Sequence, residues 1–447
     1  MSVRCREVDV AVVGAGPAGL AAAAAAAEAG RRVLVIDQSP RAGGQIWRHR
    51  DEGSLGRVPR ALLARVASAG VTVLTGTTVV DAVSPRQLLV EGVDGVEVID
   101  TTALVLATGA RERFLPFPGW TLPGVAGVGG LQALLKGGTS FRGKRVVLAG
   151  TGPLLVAVAA ALADAGARLV LVAEQAPWRR VTGFALHAFT NAGRLRDALR
   201  YRWAFARTPY VTDAWVTAAD GDTRLRDVEV RTSRGTRTVD CDWLGCAAGL
   251  VPTIELAQLL GCTVERDRVR VDSMQSTSVT GVWAAGECTG VKGDAAALAE
   301  GEIAGRAAAG DTPGATSAAL VRARDDGRLL GARIDAAFSL RAELLNLAAP
   351  DTIICRCEDV RRDAIDPAWT PRQAKLWTRV GMGACQGAVC GPACSALFGW
   401  AANTVRAPLG APSCGAWQAA LTPPALPGPP SPVRQAPEVD PHQGPAD

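Results

Sequence analysis

Histidine is nearly absent from this 447-residue chain, which has only His49, His187 and His442. That scarcity argues against a histidine-built metal centre and against a Ser/His triad. Lysine is confined to Lys136, Lys144, Lys292 and Lys375, so most of the 48 basic residues are arginine. With abundant alanine and glycine, this bias reflects GC-rich coding rather than a binding surface. Charge of one sign is also missing: 43 acidic residues leave a net +5, spread without runs, which excludes a nucleic-acid-binding face. The longest apolar run, Gly152 to Leu162, falls far short of the roughly 20 residues a membrane span requires, so no membrane span is expected. Arg4 and Arg6 ahead of an apolar stretch imitate a secretory leader, but Glu7 and Asp9 break its basic part and Gly14, Gly16 and Pro17 its apolar part. A cytoplasmic location is therefore expected, where thiols stay reduced and clustered cysteines read as metal ligands rather than disulfides.

What is present is a chain long enough for two or three domains. Val8 to Val13 is an apolar run of strand length, Ala18 to Ala29 an alanine-rich helix, and Arg32 to Ile36 a second buried strand. Between the first two lies Gly14-Ala15-Gly16-Pro17-Ala18-Gly19, and Asp37, followed by Gln38, ends the second strand. Glycines there permit the tight turn, close approach of backbone to a pyrophosphate, and packing of helix on strand; the helix N-terminus supplies N–H donors, and Asp37 can accept from a ribose hydroxyl. Dinucleotide binding is expected here.

A second unit starts at Lys144: a strand over Arg145 to Ala149, the turn Gly150-Thr151-Gly152-Pro153-Leu154-Leu155, a helix over Val156 to Asp164, and a strand from Arg168 ending at Glu174. Leu155 stands where close packing of helix on strand usually requires glycine, which weakens or redirects nucleotide binding. Glu174 would favour NAD over NADP, while Arg179 and Arg180 nearby blunt that preference. An NAD site, a site for another adenine nucleotide and a purely structural fold remain open.

Leu104 to Ala110, containing Thr108 and Gly109, is an apolar strand with a small-residue turn, and Gly281 to Glu287 repeats that form. Together with Gly43-Gly44-Gln45, these segments resemble the recurrent FAD segments of two-dinucleotide-fold flavoprotein reductases. The resemblance implies FAD at the first unit. In that family a late Gly-Asp pair meets the ribityl-phosphate region of the flavin; here the pair is Gly286-Glu287, with a longer acid. The expected class is α/β, with two Rossmann-like dinucleotide-binding domains, one inserted in the other. An FAD domain in two pieces, 1–117 and 270–310, encloses an NAD-type nucleotide-binding domain over 118–269, and 311–350 reads as a helical connector. Nine of the last 26 residues are proline, so the tail, 406–447, is expected to be disordered.

Six of the eleven cysteines lie between 355 and 414. Cys355 and Cys357 form C-x-C, Cys385 and Cys390 form C-x4-C, and Cys394 follows one helical turn later. Four thiolates in two close pairs suit zinc or an iron–sulfur cluster, and spacing alone does not choose between them. Cys5, Cys241, Cys246 and Cys262 read as small buried hydrophobes, and Cys288 as packing. The local sequence around Cys355 to Val360, Gly381 to Gly387 and Cys390 to Pro392 resembles the [2Fe-2S] module similar to bacterioferritin-associated ferredoxin, which implies a small helical iron–sulfur module over 351–405 with Cys355, Cys357, Cys385 and Cys390 as ligands. Taken in order, Gly43 to Arg48, Thr108 to Gly130, Trp283 to Gly290 and this module resemble the α subunits of heteromeric flavin-dependent amino-acid dehydrogenases, the group of opine oxidase, hydrogen cyanide synthase, sarcosine oxidase, dye-linked proline dehydrogenase and D-hydroxyproline dehydrogenase.

No recognisable base, paired carboxylates or anion clamp marks a substrate pocket in the sequence. The resemblance offers a reason: in that family a separate flavoprotein β subunit oxidises the amino acid, and the α subunit passes electrons to an acceptor. It implies three partners, namely that β subunit, a small γ subunit, and the acceptor. Two other readings stay open, a self-contained NAD(P)H-dependent FAD/iron–sulfur oxidoreductase and a non-catalytic assembly subunit whose nucleotide and metal are structural.

Overall fold

The computed structural model describes residues 4–188, 192–311, 316–400 and 405–416. The first domain is built on β1 (Arg4–Val13), α1 (Pro17–Glu28) and β2 (Val33–Ile36), followed by α2 (Arg57–Ser68), β3 (Thr72–Leu74), β4 (Thr78–Ser84), β5 (Gln87–Gly92) and β6 (Gly95–Leu106). Its sheet runs β3-β2-β1-β6 in parallel, the order of a doubly wound fold. The first half of β6 continues into the antiparallel β5-β4 excursion. Buried on both faces, β2 is apolar throughout rather than alternating.

The chain leaves this domain along β7 (Ala110–Glu112). It forms a second parallel sheet from β8 (Val125–Gly127), β9 (Arg145–Gly150), β10 (Arg168–Glu174), β11 (Tyr210–Thr212) and β15 (Trp243–Ala247), ordered β11-β10-β9-β15-β8. Helices α3 (Val128–Lys136), α4 (Pro153–Asp164), α5 (Trp178–Ala188) and α6 (Ala192–Ala204) belong to this domain, as does the antiparallel sheet β12 (Ala214–Asp220), β13 (Asp227–Thr232) and β14 (Gly235–Asp240). The return strand β16 (Leu250–Pro252) pairs antiparallel with β7, so both crossings form one two-stranded bridge. Beyond it come α7 (Glu255–Leu259), β17 (Val264–Glu265), β18 (Arg268–Val269), β19 (Val282–Ala284) and α8 (Asp294–Ala309). Ile254, Leu256, Ala257, Cys262 and Val269 join the core of the first domain, so the return begins ahead of the expected residue 270. β19 then adds in parallel to the second half of β6.

Alanine lets two helices meet at backbone distance. α1 is buried along Ala18 to Ala26, and an added Cβ at Gly301 or Gly305 of α8 would lie 2.1 Å from the carbonyl oxygen of Ala18 or Ala22. The connector expected over 311–350 contains α9 (Ala318–Ala337) and a short 3-10 turn, Ala342–Asn346. A small module follows: β20 (Ile353–Cys355) paired with β21 (Val360–Arg361), then α10 (Pro371–Thr378), opened by a Thr370–Gln373 capping box, and α11 (Cys390–Phe398).

The expectation of disorder over 406–447 fails for its first part. Leu409 donates its N–H to Val80 O at 2.7 Å, and Ala416 is buried against Val80, Leu89 and Val98, because the β4-β5 excursion offers an apolar face that these residues cover. Residues 417–447 lie outside the described residues. Cys5 is also not the buried hydrophobe expected: it is exposed and its Sγ lies 2.9 Å from Asp100 Oδ2.

Candidate nucleotide and thiol sites

At the carboxyl ends of β1, β6 and β19 three turns lie side by side, because Val13 pairs with Leu106 and Leu106 with Ala284. In open α/β sheets this edge is where ligands bind. The fingerprint glycines divide the work. A Cβ on Gly14, at φ +109°, would stand 2.2 Å from Ala107 O, and one on Gly19 would stand 1.8 Å from Gly14 O. Both positions are closed by packing. A Cβ on Gly16 would meet only the Cα of Gly44, at 3.9 Å, so this position opens outward. Asp37 stays half-buried; its Oδ2 accepts from Ala15 N at 2.5 Å and its Oδ1 from Ser39 N at 2.7 Å. Gln38 and Gln45 are exposed, and Gly43 N donates to Ala15 O at 2.7 Å, which holds the Gly43-Gly44 turn over the glycine turn. In the same segment Arg48 Nε is buried without a hydrogen-bond partner among the described residues.

The other two turns are fixed to one another. Thr108 Oγ1 donates to Thr253 O at 2.5 Å, and Thr253 N to Gly109 O at 2.9 Å. Gly286, at φ +80°, lies against Ala18 at the start of α1, where a Cβ would come 2.7 Å from that of Ala18. Its N–H donates to the fully buried Glu300 at 3.0 Å, and Glu300 also pairs with Lys292. Burial, then the charge of Asp294, pushes the half-buried Glu287 carboxyl above its ordinary value. Cys288 is fully buried, with its thiol against the carbonyls of Leu106 and Ala285, in keeping with a packing role. Glu300, Lys292 and Thr253 carry no motif by spacing and were not legible in the sequence.

The second glycine turn has a different neighbourhood. Gly150, at φ +149°, approaches Ala247 O closely, as Gly14 approaches Ala107 O. Leu155 is fully buried among Val128, Leu131, Val146 and Leu148, so the third position is filled by core packing. Glu174 has no exposed surface; its oxygens accept from Gly152 N and Ala176 N, each at 2.9 Å. Burial raises its carboxyl to about 7 against those hydrogen bonds.

All four candidate ligands fall in the small module, on two loops. Cys355 ends β20 and is buried, whereas Cys357 is exposed; Cys385 is half-buried, and buried Cys390 opens α11. Cys357 neighbours Cys385, and Cys390 neighbours Cys355 and, further along its helix, Cys394. Burial opposes ionisation of Cys385, but the N–H groups of Val389, Gly387 and Ala388 and the thiol of Cys357 outweigh it and lower its pKa. Glycines bring the loops together: a Cβ on Gly383 would lie 2.2 Å from that of Cys357, and one on Gly381 would lie 3.9 Å from Cys390 Sγ. Among the described residues no set of three or more His, Cys, Asp or Glu side chains is arranged to hold a metal ion, so the thiols stand as two adjacent pairs.

Residues 8–309 match the family model for pyridine nucleotide-disulphide oxidoreductase. The chain belongs to that family. It is an oxidoreductase with a flavoprotein-type α/β fold. An opine oxidase subunit of Agrobacterium tumefaciens (strain Ach5) is 33% identical over 86% of this chain and 84% of its own. Hydrogen cyanide synthase subunit HcnB of Pseudomonas protegens is 31% identical over 86% of this chain and 90% of its own. Among solved structures, L-proline dehydrogenase from P. horikoshii shares the fold with a TM-score of 0.64 and 19% identity, over 93% of this chain and 80% of its own. Both sequence relatives are described as subunits. No helix among the described residues is long and apolar enough to cross a membrane.

Within this oxidoreductase, the open side of Gly16, the Gly43-Gly44 turn above it and the unpartnered Arg48 donor suit a dinucleotide at the first fold. The four thiols suit a sulfur-ligated iron cluster in donor type and loop placement, while remaining pairwise arranged.

Proposed function

We propose that the protein is the FAD- and [2Fe-2S]-containing electron-transfer α subunit of a heteromeric amino-acid dehydrogenase of the D-hydroxyproline, proline or opine type, cytoplasmic, taking electrons from a substrate-oxidising flavoprotein partner to an acceptor. The observation that carries this reading is one chain joining an open nucleotide crevice at Gly16 to a module that gathers Cys355, Cys357, Cys385 and Cys390. FAD accepts two electrons and releases them singly, and an iron–sulfur cluster passes one at a time, so together they join two-electron to one-electron chemistry. The protein's share is orientation. Gly16 leaves room for the pyrophosphate, Asp37 holds the glycine turn and offers its remaining lone pairs to a ribose hydroxyl, and Glu300 fixes the Gly286 turn against α1. N–H groups of Gly387, Ala388 and Val389 stabilise negative charge on Cys385 sulfur, as they would in a ligated thiolate. That relatives are named as subunits supports a partner that carries the substrate chemistry.

The test is anaerobic purification of the native complex, with identification of co-purifying chains and analysis of flavin, iron and acid-labile sulfide. The expected result is FAD, iron and sulfide in this chain and a second flavoprotein chain bound to it. A lone chain that holds zinc without iron or sulfide and still transfers electrons would overturn the reading.

A further inference from the structure

We propose that the crevice of the second nucleotide-binding fold is filled by the chain's own residues Phe338 to Arg341, and that this fold serves as a mount for the cysteine module instead of a site for NAD(H). Three strands of its sheet end in a row, with Thr151 just beyond β9, Gln175 beyond β10 and Asp213 beyond β11. A nucleotide would bind across this row of strand ends. The connector already does. Thr151 Oγ1 reaches Phe338 O at 3.4 Å; Gln175 Nε2 donates to Ser339 O at 3.0 Å and Gln175 Oε1 accepts from Arg341 N at 3.0 Å; Arg341 Nη1 donates to Gln175 O at 3.1 Å and to Asp213 Oδ1 at 2.7 Å.

Side chains complete the closure. The Phe338 ring lies edge-on to Phe184, with centroids 5.0 Å apart, and is what a Cβ on Gly152 would meet, at 3.9 Å. The Arg341 guanidinium lies 3.9 Å from the Trp215 ring centroid. Arg180, a residue well placed by sequence for a 2′-phosphate, donates to Ser339 Oγ at 2.8 Å. Gln175 is 1% exposed with both ends of its amide engaged, and Glu174 is 0% exposed. The corresponding Asp37 of the first fold remains half-buried beside the open Gly16. The same segment leads straight into the module. Leu344 buries against Leu115, Trp215 and Ala248 of the second domain, and Trp120 Nε1 donates to Ile353 O at 2.7 Å. Among the described residues Arg341 Nε alone of this network's buried donors lacks a partner. Opening the network would leave both ends of the buried Gln175 amide unpaired, which favours this one arrangement. The inference holds whether or not the thiols carry a cluster.

The test is titration of the flavin-loaded protein with NADH and, separately, ADP by calorimetry. The unaltered chain should show no saturable binding up to about 1 mM of either. Loosening the connector with Phe338→Gly, Ser339→Gly and Arg341→Ser should bring in ADP binding at least about tenfold tighter than that limit. Leu155→Gly alone, which restores the third glycine, should bring in none. Micromolar NADH binding to the unaltered chain overturns the proposal, and so does a folded triple variant that gains no ADP binding. Should the triple variant not fold, hydrogen exchange on the unaltered protein decides: the amides of Gly152, Ala176 and Arg341 should be protected and unchanged by about 1 mM ADP. Exchange at the rate of an open loop there, or protection added by ADP, overturns it.

Discussion

Gly16 and Gly152 occupy equivalent places in two glycine turns, yet a Cβ on the first would meet only the backbone of Gly44 and one on the second the ring of Phe338. At Gly16 a Cβ would come no nearer to protein than 3.9 Å, at the Gly44 Cα, and the branches of a valine would enter the space that a pyrophosphate needs. Gly16→Val is therefore expected to fold and to lose its flavin, retaining roughly a tenth or less of the bound flavin absorbance at equal far-UV dichroism; a fall from about nine-tenths to about one-tenth occupancy is an affinity loss of about 80-fold, or about 2.6 kcal/mol. Stoichiometric flavin in the folded variant would place the cofactor elsewhere. Glu174 carries a different signature. Its carboxyl is raised from 4.5 to about 7 in the folded protein, so between these values the native state binds more protons than the unfolded chain. Stability then falls as pH rises from about 4.5 to about 7 and levels off above that, with this residue contributing at most about 3 kcal/mol to the decline. Glu174→Gln should flatten that part of the profile of thermal midpoint against pH, whatever its effect on the midpoint at one pH. An unchanged slope would mean that Glu174 is ionised throughout.

At the scale of elements, the first βαβ unit was legible because its signals agree: an apolar run of strand length, three glycines in register, and an acid at the end of the next strand. The second unit was legible as a fold but not as a site. Nothing in the spacing of Phe338 or Arg341 says that they meet Thr151, Gln175 and Asp213, since that contact spans more than a hundred residues and is made by the segment that follows α9. The packing of Leu409 and Ala416 on the β4-β5 excursion escaped notice for a similar reason, because composition averages over a tail whose first residues are apolar enough to be buried. The helix pair α1 and α8 shows how small residues can set an interface. Gly301→Val would drive a side chain into the Ala18 carbonyl and push the helices apart. Overpacking of this kind costs about 1 to 3 kcal/mol. The thermal midpoint should fall by roughly 2 to 4 °C per kcal/mol. Because Ala18 also touches Gly286, flavin retention should weaken in the same variant. An unchanged midpoint and full flavin content would show that the two helices have slack.

For the whole molecule, the thiols and the first crevice are built from separate parts of the chain, the crevice from residues before 310 and the thiol loops from residues after 350. The sequence carried the cysteine spacing and the glycines beside it, but not the pairwise arrangement of the thiols, which is set by the approach of Gly383 to Cys357 and by the placement of Cys390 at the start of α11. This separation makes the two cofactor assignments independently testable. Cys385→Ser removes the thiol whose ionised form the N–H groups of Gly387, Ala388 and Val389 stabilise, and the substitution does not touch the first domain. Dithionite-reduced wild-type protein is expected to show the paramagnetic signal of a [2Fe-2S] centre, and Cys385→Ser to lose it while keeping its flavin absorbance. Cys394→Ser should keep both, because Cys394 lies buried on the inner face of α11 beyond the paired thiols. In the complex, Cys385→Ser should leave flavin reduction by substrate intact and slow the passage of electrons to the acceptor by at least about tenfold, a barrier increase of about 1.4 kcal/mol. Loss of flavin together with the signal would mean that the module supports the first crevice structurally, and an undiminished rate without iron would remove the cluster from the electron path.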